Sequence, residues 1–597
     1  MSELFEKSIR TLELPAVLEK LAAKAVSQAA KDRCLKLTPS TDVEEVLRLL
    51  DETDAAKERL GLHGSPSFSG VKDVSAALTR ADHGGMLNTR ELLDIAGVLT
   101  ASRRVSDYDA QRQGEETVLD RLFASLHTNK YLEEQIRSAI LDEETIADTA
   151  SSELADIRRK MRLAASKGRQ ILQRIISSPS YAKVLQEALI TQRDGRFVVP
   201  VKAECKGSMP GLVHDISSSG ATLFVEPMGV VQANNELKEL EAREQKEIDR
   251  ILRQLSAACA AQMENILWDY DILVHLDVIF ARAQLSYQLN ASRPEVRRRG
   301  GVTLRRARHP LLDQARAVPI TVELGQQFDT LVITGPNTGG KTVTLKTIGL
   351  LCLMAQCGLH IPADSGSAVR VFHRVLADVG DEQSIEQSLS TFSGHMKRIS
   401  GILELAGHGT LTLLDELGAG TDPAEGAALA VSILEQLRRQ GSLLMATTHY
   451  AEMKVYALET PGVVNASCEF NVETLMPTYK LSVGVPGKSN AFLISSKLGI
   501  PQNIIDAARS HMSNDDKRLD SVLAQLDDLK LQLKVAQGDA EKARYEAEHA
   551  LESAEKKRDE LIKKGEQELE DARRRAHDLM QNVQNEAYAL TDELRRI

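Results

Sequence analysis

The stretch that decides the fold is TGPNTGGKTVTLKTIG, residues 334–349. It contains G-x-x-x-x-G-K-[ST], the pattern of a phosphate-cradling loop, at 335–342. The strand-like run TLVIT (330–334) precedes this loop, and the helix-like run VTLKTIGLLCLMAQ (343–356) follows it. Glycines let backbone N–H groups approach a phosphate, and a helix N-terminus favours negative charge. The order strand, loop, helix therefore predicts an α/β nucleotide-binding domain.

Each residue of the loop is a candidate nucleotide ligand. Lys341 is expected to neutralise the β- and γ-phosphate oxygens, and the Thr342 hydroxyl is expected to reach Mg²⁺. The sequence thus predicts ATP and Mg²⁺ as cofactors. The predicted nucleotide-binding residues are Gly335, Pro336, Asn337, Thr338, Gly339, Gly340, Lys341 and Thr342.

Two later strands end in polar residues that suit ATP hydrolysis. TLTLLDELGAG (410–420) places Asp415 to hold the metal and Glu416 to polarise the attacking water. LLMATTHY (443–450) ends near His449, from which an imidazole can sense the γ-phosphate. The alternatives are an exposed acid pair without chemistry and a structural histidine in the core.

The segment DEQSIEQSLSTFSGHM (381–396) lies between loop and acids. Gln383 is a candidate metal or water ligand, and Ser390–Gly394 forms a Ser/Gly-rich turn. Taken alone, that turn is an N-cap before the helix HMKRISGILELA (395–406). The order of all these features, ending in GAGTDP and the histidine, is that of ABC-type ATPases. ABC-type ATPases work as sandwiched dimers, in which the turn of one subunit closes on the ATP of the other.

Composition bounds the rest of the chain. It has 597 residues, of which 42% are hydrophobic, 27% charged and 4% aromatic, with a net charge of −11. A length beyond ~300 residues predicts several domains, and the low aromatic content favours long helices over β-sandwiches. The acidic balance argues against a uniformly basic nucleic-acid coat but allows a local basic face.

Cysteine usage and hydropathy predict a cytoplasmic protein without a membrane segment. The six cysteines form no CxxC pair, which fits reduced thiols rather than a disulfide frame or zinc site. MSELFEKSIR at the N-terminus has no apolar core of a signal peptide. The most apolar run, IGLLCLMAQCGLHIP, is too short and too interrupted to span a bilayer.

The pattern along the chain predicts a multidomain fold. The predicted fold class is an all-α core and lever region with a small β-containing clamp unit, an α/β ABC-type P-loop ATPase domain, and a long C-terminal helix or coiled coil. The predicted bounds are 1–148 for the helical core, 149–290 for the lever helices with the β clamp unit at about 186–228, 291–512 for the ATPase domain with its helical dimerisation element, and 513–597 for the charged helix.

The lever region combines two helical seams with period-two segments. One seam is predicted along Leu154, Ile157, Met161, Ala164, Ile171 and Ile175, the other along Leu237, Leu240, Ile248, Ile251 and Leu255. Between them, Asp194-Gly195 and a Ser-Gly turn predict hairpins. The cations around the first seam are candidate phosphate contacts, with solvated coiled-coil faces as the alternative: Arg158, Arg159, Lys160, Arg162, Lys167, Arg169 and Arg174.

The chain resembles the MutS ATPases, specifically the bacterial MutS-II branch without mismatch-reading and connector domains. The residues that carry the resemblance are ARHPLL (307–312), TGPNTGGKT (334–342), DEQSIEQSLSTFSGHM (381–396), LLDELGAGTDPAEGAALA (413–430), ATTHY (446–450), YKLSVGVPGKSNAF (479–492) and the β-unit stretch from GRFVVPVKAECKG to HDISSSGATLFVEP. The resemblance covers essentially the whole chain.

The resemblance implies roles for individual residues. Ser390 would act on the ATP of the partner subunit in a homodimer, and His449 would be the switch histidine. Asn337 would lie in the loop typical of the family, and residues 318–320 would lie against adenine. SNAFLISSKLGIPQNIIDAARSHM (489–512) would lock the ATPase dimer.

The sequence departs from MutS-family patterns at two points, which argue against mismatch reading and against endonuclease activity. Phe224-Val225-Glu226 matches the Phe-x-Glu string of mismatch readers, but it lies in the β unit, so we interpret it as a coincidental strand end. Relatives of this branch carry a C-terminal Smr nuclease module, whereas this sequence ends at Ile597 inside the charged helix. We therefore expect either a truncated chain or a lineage without the module, and no endonuclease activity from this chain alone.

The sequence predicts an ATP hydrolase that works as a dimeric clamp. The resemblance implies branched recombination DNA, with suppression of homologous recombination, and stalled or collided ribosomes bound through rRNA and split into subunits; the sequence does not choose between them. An architectural coiled-coil protein with ATP-regulated dimer closure is the alternative. The large helical region before the loop argues against a transporter ATPase subunit.

Overall fold

A computed structural model of the chain describes residues 2–110, 116–335, 340–380, 391–471, 476–487, 491–511 and 514–595. These residues form two compact units, which divide after Gly484. The domain boundaries predicted at 148/149 and 290/291 both lie inside the first unit, and that division stays a prediction.

Amphipathic helices make up the first part of the chain, as the hydrophobic spacing predicts. Ser27, Asp42 and Asn129 cap three of them by accepting N–H groups of the first turn. The helices are α1 (Glu3–Thr11), α2 (Leu14–Ala22), α3 (Gln28–Leu35), α4 (Val43–His63), α5 (Ser75–Asp82), α6 (Thr89–Ala110), α7 (Asp120–Ala124) and α8 (Lys130–Ala139).

Two long antiparallel helices follow, α9 (Ser152–Ser177) and α10 (Met228–Ala260), which we call the lever. Near its base, the Ser151 hydroxyl donates to Glu247 at 2.7 Å, and the Arg158 Nε donates to Glu244 at 2.7 Å. Near its far end, Gly168 lies against Val230 and Ala233. Helix α9 therefore leads away from the helical region, and α10 leads back to it.

The buried seam of α9 departs from the predicted one at its far end. Leu172 is fully buried there, whereas Ile171 and Ile175 are half-buried and pack against an apolar cluster shared by the lever and the strands that follow; Ile171 also lies beside Gly229 of α10. A straight helix repeats every 3.6 residues, so a seam traced with a period of 3.5 drifts off the buried face. The second lever helix, α10, is shorter than the predicted lever, which extends to residue 290. It ends at Ala260, and a new helix, α11 (Met263–Gln288), enters the core of the helical region.

The strands between the lever helices form a four-stranded antiparallel sheet, which with its flanking loops we call the β unit (residues 181–227). Asp194 and Gly195 both have positive φ, as a two-residue hairpin turn requires, which confirms the predicted turn. The apolar core of the β unit is separate from the main core of the chain. The strands, in the order β1-β2-β4-β3, are β1 (Thr191–Arg193), β2 (Arg196–Lys202), β3 (Gly211–Ile216) and β4 (Thr222–Pro227).

Glu226 ties the β unit to the lever. Its carboxylate is fully buried and accepts from Arg196 at 2.9 Å, from His214 at 2.5 Å and from the Asn234 amide at 2.8 Å. These partners come from β2, β3 and α10. A buried carboxylate needs such partners, so this glutamate of the Phe-x-Glu string has a structural explanation.

The α/β region is built on a six-stranded sheet of order β10-β11-β12-β8-β13-β14, in which the last strand alone is antiparallel. The strands β8, β11 and β12 are buried at every position, as expected for a sheet covered on both faces. A second sheet has the order β5-β9-β6-β7. The strands are β5 (Glu295–Arg297), β6 (Val302–Ala307), β7 (Ile320–Leu324), β8 (Thr330–Thr334), β9 (Ala368–Arg370), β10 (Arg374–Asp378), β11 (Thr410–Leu414), β12 (Leu443–Thr447), β13 (Val463–Asn471) and β14 (Met476–Val483).

Four helices cover these strands: α12 (Lys341–Gln356), α13 (Thr391–Leu405), α14 (Pro423–Arg439) and α15 (Ala451–Glu459). Helix α13 begins at Thr391, so residues 391–394 of the predicted turn are helical instead. Ser and Gly are tolerated there because the first N–H groups of a helix have no partner within it.

The N-terminal helices pack against the α/β region. Helix α1 lies beside β10 and α13, and the Ser8 hydroxyl accepts the backbone N–H of Ala377 at 3.0 Å. Leu12 lies against Gly349 of α12. One continuous apolar core consequently joins the helical and α/β regions.

The second unit, residues 485–595, contains three helices among its described residues. They are α16 (Ala491–Lys497), α17 (Gln502–Ser510) and the 81-residue α18 (Asn514–Leu594). The described side chains of α18 are exposed, which confirms the predicted long solvated helix; a coiled-coil partner for it stays a prediction. None of the helices within the described part of the chain is long and apolar enough to cross a membrane.

We predict that Glu226→Gln loosens the β unit. The substitution leaves Arg196 and His214 without the carboxylate, and breaking a buried ion pair costs on the order of 3 kcal/mol. Amide hydrogen exchange in β2–β4 should accelerate, while exchange in β8, β11 and β12 stays unchanged. The control is Glu204→Gln, because Glu204 is exposed in the same unit. Equal protection in both variants would contradict the structural role of Glu226.

Candidate functional site

Three neighbouring parallel strands bring the predicted catalytic residues together. The strands lie in the order β11-β12-β8, and their carboxyl ends meet at one edge of the sheet. Strand β8 leads to Gly335 and Lys341, β11 to Asp415 and Glu416, and β12 to His449. The predicted site residues Pro336, Asn337, Thr338, Gly339, Gln383 and Ser390 lie outside the described residues.

Lys341 is buried at the first position of α12, with 2% of its surface exposed. Its ammonium group donates to the backbone carbonyl of Gly335 at 2.7 Å and lies 2.9 Å from Nε2 of His449. Burial lowers the pKa of Lys341 to about 8, although Glu416 and Asp415 oppose that shift. At neutral pH the lysine therefore presents a poorly solvated positive charge, which attracts an anion.

Asp415 is fixed by two hydroxyl groups. The Thr342 hydroxyl donates to Oδ2 at 2.7 Å, and the Thr447 hydroxyl donates to Oδ1 at 2.5 Å. Thr447 also accepts the backbone N–H of Glu416 at 2.8 Å. Its one hydroxyl thus positions both adjacent acids from the next strand. The local sequence pattern does not single out Thr447, although this residue stands at the end of the run LLMAT.

Glu416 and His449 face each other with an Oε1–Nε2 distance of 3.9 Å. Both side chains are partly exposed, so they border the open side of the site. Glu416 has a φ of 47°, a left-handed conformation that non-glycine residues seldom adopt. Burial, followed by the nearby Lys341 charge, lowers the pKa of His449. The imidazole is therefore neutral at pH 7 and can exchange hydrogen bonds in either direction.

An apolar cavity of about 390 Å³ adjoins the loop. His309, Val318 and Ile320 line one wall, and Val343 of α12 lines another. Tyr479 of β14 also lines the cavity, and a Cβ atom at Gly340 would lie 2.8 Å from its ring. The close approach of this ring requires glycine at 340. The sequence analysis did not identify Tyr479, which is distant from the loop in sequence.

A family model described as MutS domain V matches residues 331–515. A protein called Endonuclease MutS2 from Geobacillus thermodenitrificans is 46% identical over 595 residues, which cover 99% of this chain and 76% of the relative. The chain belongs to the MutS2 family. This confirms the resemblance to the MutS-II branch.

Two other MutS2 relatives extend beyond this chain. Endonuclease MutS2 of Ruminiclostridium cellulolyticum is 48% identical and that of Agathobacter rectalis 50% identical, each over 524 residues. These alignments cover 87% of this chain and 66% of each relative. The chain thus spans just under two thirds of the length of these two MutS2 proteins.

The site includes a buried acid at the end of β10 that the local sequence pattern also does not indicate. The carboxylate of Asp378, with 1% exposed, lies 2.8 Å from Nδ1 of His395 and accepts from Nε of Arg398 at 2.5 Å. Its backbone carbonyl accepts the N–H of Asp415 at 2.8 Å. Asp378 thereby connects the first turns of α13 to the acid pair.

The donor set of this MutS2 chain fits Mg²⁺ bound together with a nucleotide. Within the described ranges, no group of three or more His, Cys, Asp or Glu side chains forms a self-contained metal site. Mg²⁺ in nucleotide sites takes only one or two protein ligands and completes its shell with phosphate oxygens and water. Thr342 and Asp415, whose oxygens converge to 2.7 Å, match that requirement.

We predict that Thr447→Val impairs metal use in this MutS2 site. Loss of the hydroxyl frees Oδ1 of Asp415 and leaves the Glu416 N–H without its acceptor, and losses of this kind typically cost about 10- to 100-fold in metal affinity or activity. The measurement is the Mg²⁺ dependence of ATP turnover. Thr447→Ser keeps the hydroxyl and should restore most of the activity. A valine variant with an unchanged Mg²⁺ requirement would show that Asp415 needs no help from Thr447.

Proposed function

We propose that this chain is an ATP-hydrolysing clamp that closes as a homodimer on nucleic-acid structures. The observation that carries the proposal is the convergence of Lys341, the Thr342–Asp415 pair and Glu416 at one sheet edge, beside a cavity open to the same loop. Membership of the MutS2 family, with domain V over 331–515, supports the ATPase part.

ATP binding uses two chemically different parts of the site. The buried ammonium of Lys341 and the N-terminus of α12 attract the phosphates. The apolar cavity takes the adenine, and its lining includes Val318, Ile320 and the Tyr479 ring. Aromatic and aliphatic walls suit a flat base because they bury its faces.

The adjacent acids Asp415 and Glu416 have separate roles in hydrolysis. Thr342 and Asp415 would hold Mg²⁺, which when bound would supply positive charge to the phosphate oxygens. Glu416 lies on the open side of the site, where its carboxylate orients the attacking water and accepts a proton from it. His449 contacts Lys341 and faces Glu416, so it is placed to respond to the γ-phosphate. Gln383 is proposed as a further metal or water ligand.

The active form is a homodimer in this proposal. Ser390 of one copy completes the ATP site of the other, and residues 489–512 lock the pair. The buried contacts of Asp378 with His395 and Arg398 support a rigid start of α13, the helix that follows Ser390 in the chain. A rigid helix start allows one copy to transmit closure to the other.

The cations of α9 fall into two groups. Near the base, Arg159 and Lys160 pair with Asp156, and Arg162 pairs with Asp148. Farther along, Lys167, Arg169 and Arg174 are exposed and have no carboxylate at ion-pair distance among the described residues. Residues 167–227 carry eight Lys and Arg but five Asp and Glu, in a chain whose net charge is −11. We propose this far part of the lever and the β unit as the polyanion contact.

The target is a nucleic-acid backbone rather than a base sequence. Exposed lysine and arginine bind phosphates without reading bases. Two structures present such a backbone in the form implied for this family: branched recombination DNA and the rRNA of stalled or collided ribosomes. Their cellular outcomes would be suppressed recombination and split ribosomes, respectively. We propose that one of these two backbones is the substrate and that the protein acts in the cytoplasm.

The test measures binding and ATP turnover side by side with four-way junction DNA, linear duplex and ribosomes. We predict that Glu416→Gln lowers turnover by about 10²- to 10⁴-fold, because the amide cannot accept the proton, and traps the closed clamp on its target in ATP. The target that both stimulates the wild type and is retained by Glu416→Gln is the substrate. Undiminished hydrolysis would refute the role of Glu416, and no stimulation by any target would favour the architectural alternative.

We predict that the lever cations without a carboxylate partner in the part of the chain that the structure describes set the salt dependence of binding. Replacing Lys167, Arg169 and Arg174 with Gln should reduce the slope of log K against log salt concentration by about 2 to 3, because up to three phosphate contacts are lost. The matched control replaces Arg159, Lys160 and Arg162 on the same helix, which already have carboxylate partners. Equal slopes for both triple variants would move the contact away from the far part of α9.

A further inference from the structure

The turn between α1 and α2 holds an unusual residue next to the proposed adenine cavity. Glu13 has a φ of 64° and a ψ of 25°, the left-handed conformation that glycine and asparagine favour. A glutamate pays a conformational cost there. This cost indicates that the turn is held in place by its surroundings.

The carboxylate of Glu13 lies between His309, which lines the cavity, and Lys346 of α12. Its Oε1 is 3.5 Å from Nζ of Lys346 on α12, and its Oε2 is 3.9 Å from Nε2 of His309. His309 lines the cavity, while Lys346 is in the same helix as the cavity residues Val343 and Thr347. One side chain from the N-terminal helices is thus close to a lining residue of the cavity and to the helix that carries two others.

The protonation of His309 explains why a carboxylate is suited to this position. Burial lowers the pKa of His309 to about 4, so its ring is neutral at pH 7. The backbone N–H of Leu311 donates to Nδ1 at 3.4 Å, which leaves the ring proton on Nε2. That proton faces the Glu13 carboxylate. The negative charge therefore favours one tautomer and one orientation of a ring that forms the cavity wall.

The rest of the helix pair keeps Glu13 in place. Lys20 of α2 donates to the backbone carbonyl of Pro310, next to His309, at 3.2 Å. On the other side, Ser8 contacts Ala377 at 3.0 Å, and Leu12 packs beside Gly349 of α12. Contacts therefore fix the turn on both sides of Glu13. The element is a brace on the α/β region rather than a loose N-terminus.

We propose that Glu13 is a positioning residue for the adenine of ATP, which acts by holding His309 and Lys346 so that the cavity keeps its width. This inference rests on the proposed function, because it takes the cavity to be the adenine site. Glu13 touches neither the phosphate loop nor the acids at the strand ends. Its loss should thus weaken recognition of the base and leave phosphate binding and the chemical step intact.

The experiment compares ATP with inorganic tripolyphosphate, which has the phosphates but no base, on the full chain. For Glu13→Gln the dissociation constant and KM for ATP should rise about two- to fivefold, as expected for a partly exposed ion pair. Affinity for tripolyphosphate and kcat should stay at the wild-type value. Glu13→Gly also removes the carboxylate but accepts the left-handed backbone, so it should weaken ATP equally without lowering the melting temperature.

The controls separate this inference from the proposed function. Glu19→Gln removes an exposed charge from the same helix pair and should change nothing. Lys341→Ala should abolish binding of both ligands; if it does not, or if the wild type binds neither ligand, the proposed function fails. Wild-type affinity for ATP in both Glu13 variants would overturn the positioning role alone. Equal loss of ATP and tripolyphosphate would also overturn it, since the effect would then reach the phosphate loop.

Discussion

The burial of one ammonium group organises the ATPase end of the molecule. Lys341 has lost nearly all contact with water, and a buried charge is unfavourable unless neighbouring groups offset the lost hydration. The Gly335 carbonyl and the His449 ring contact it directly, and Asp415 and Glu416 add negative charge nearby. These partners stand at the ends of different strands. The lysine can hold its place only where a parallel sheet brings those ends together.

The sequence was informative where function depends on neighbours along the chain. The run 330–342 identifies the strand, loop and helix from local patterning alone, and strand ends locate Asp415 and Glu416 because apolar runs stop there. The Asp194-Gly195 hairpin was predictable for the same reason, since the Asp-Gly dipeptide by itself favours a two-residue turn. Such features need no knowledge of the tertiary fold.

Other functional residues depend on contacts between distant segments, which no local pattern encodes. Thr447 looks like an ordinary β-branched strand residue until β12 is placed beside β11. Tyr479 lines the cavity and Glu13 lies beside the lining residue His309, although the two come from opposite ends of the first unit's sequence. At the far end of α9, the helix period moves the buried face to Leu172, and the β unit covers Ile171 and Ile175, which the lever alone would leave more open. In each case tertiary packing decided the outcome.

The separate apolar core of the β unit has a consequence for how this protein can change over time. The unit packs around its own cluster and joins the remainder of the first unit through the lever. Regions with independent cores open and close as separate cooperative units. Substitutions there should alter local stability and surface chemistry without disturbing the strand ends that surround Lys341. Selection can therefore change the exposed surface of the β unit while the site around Lys341 is preserved.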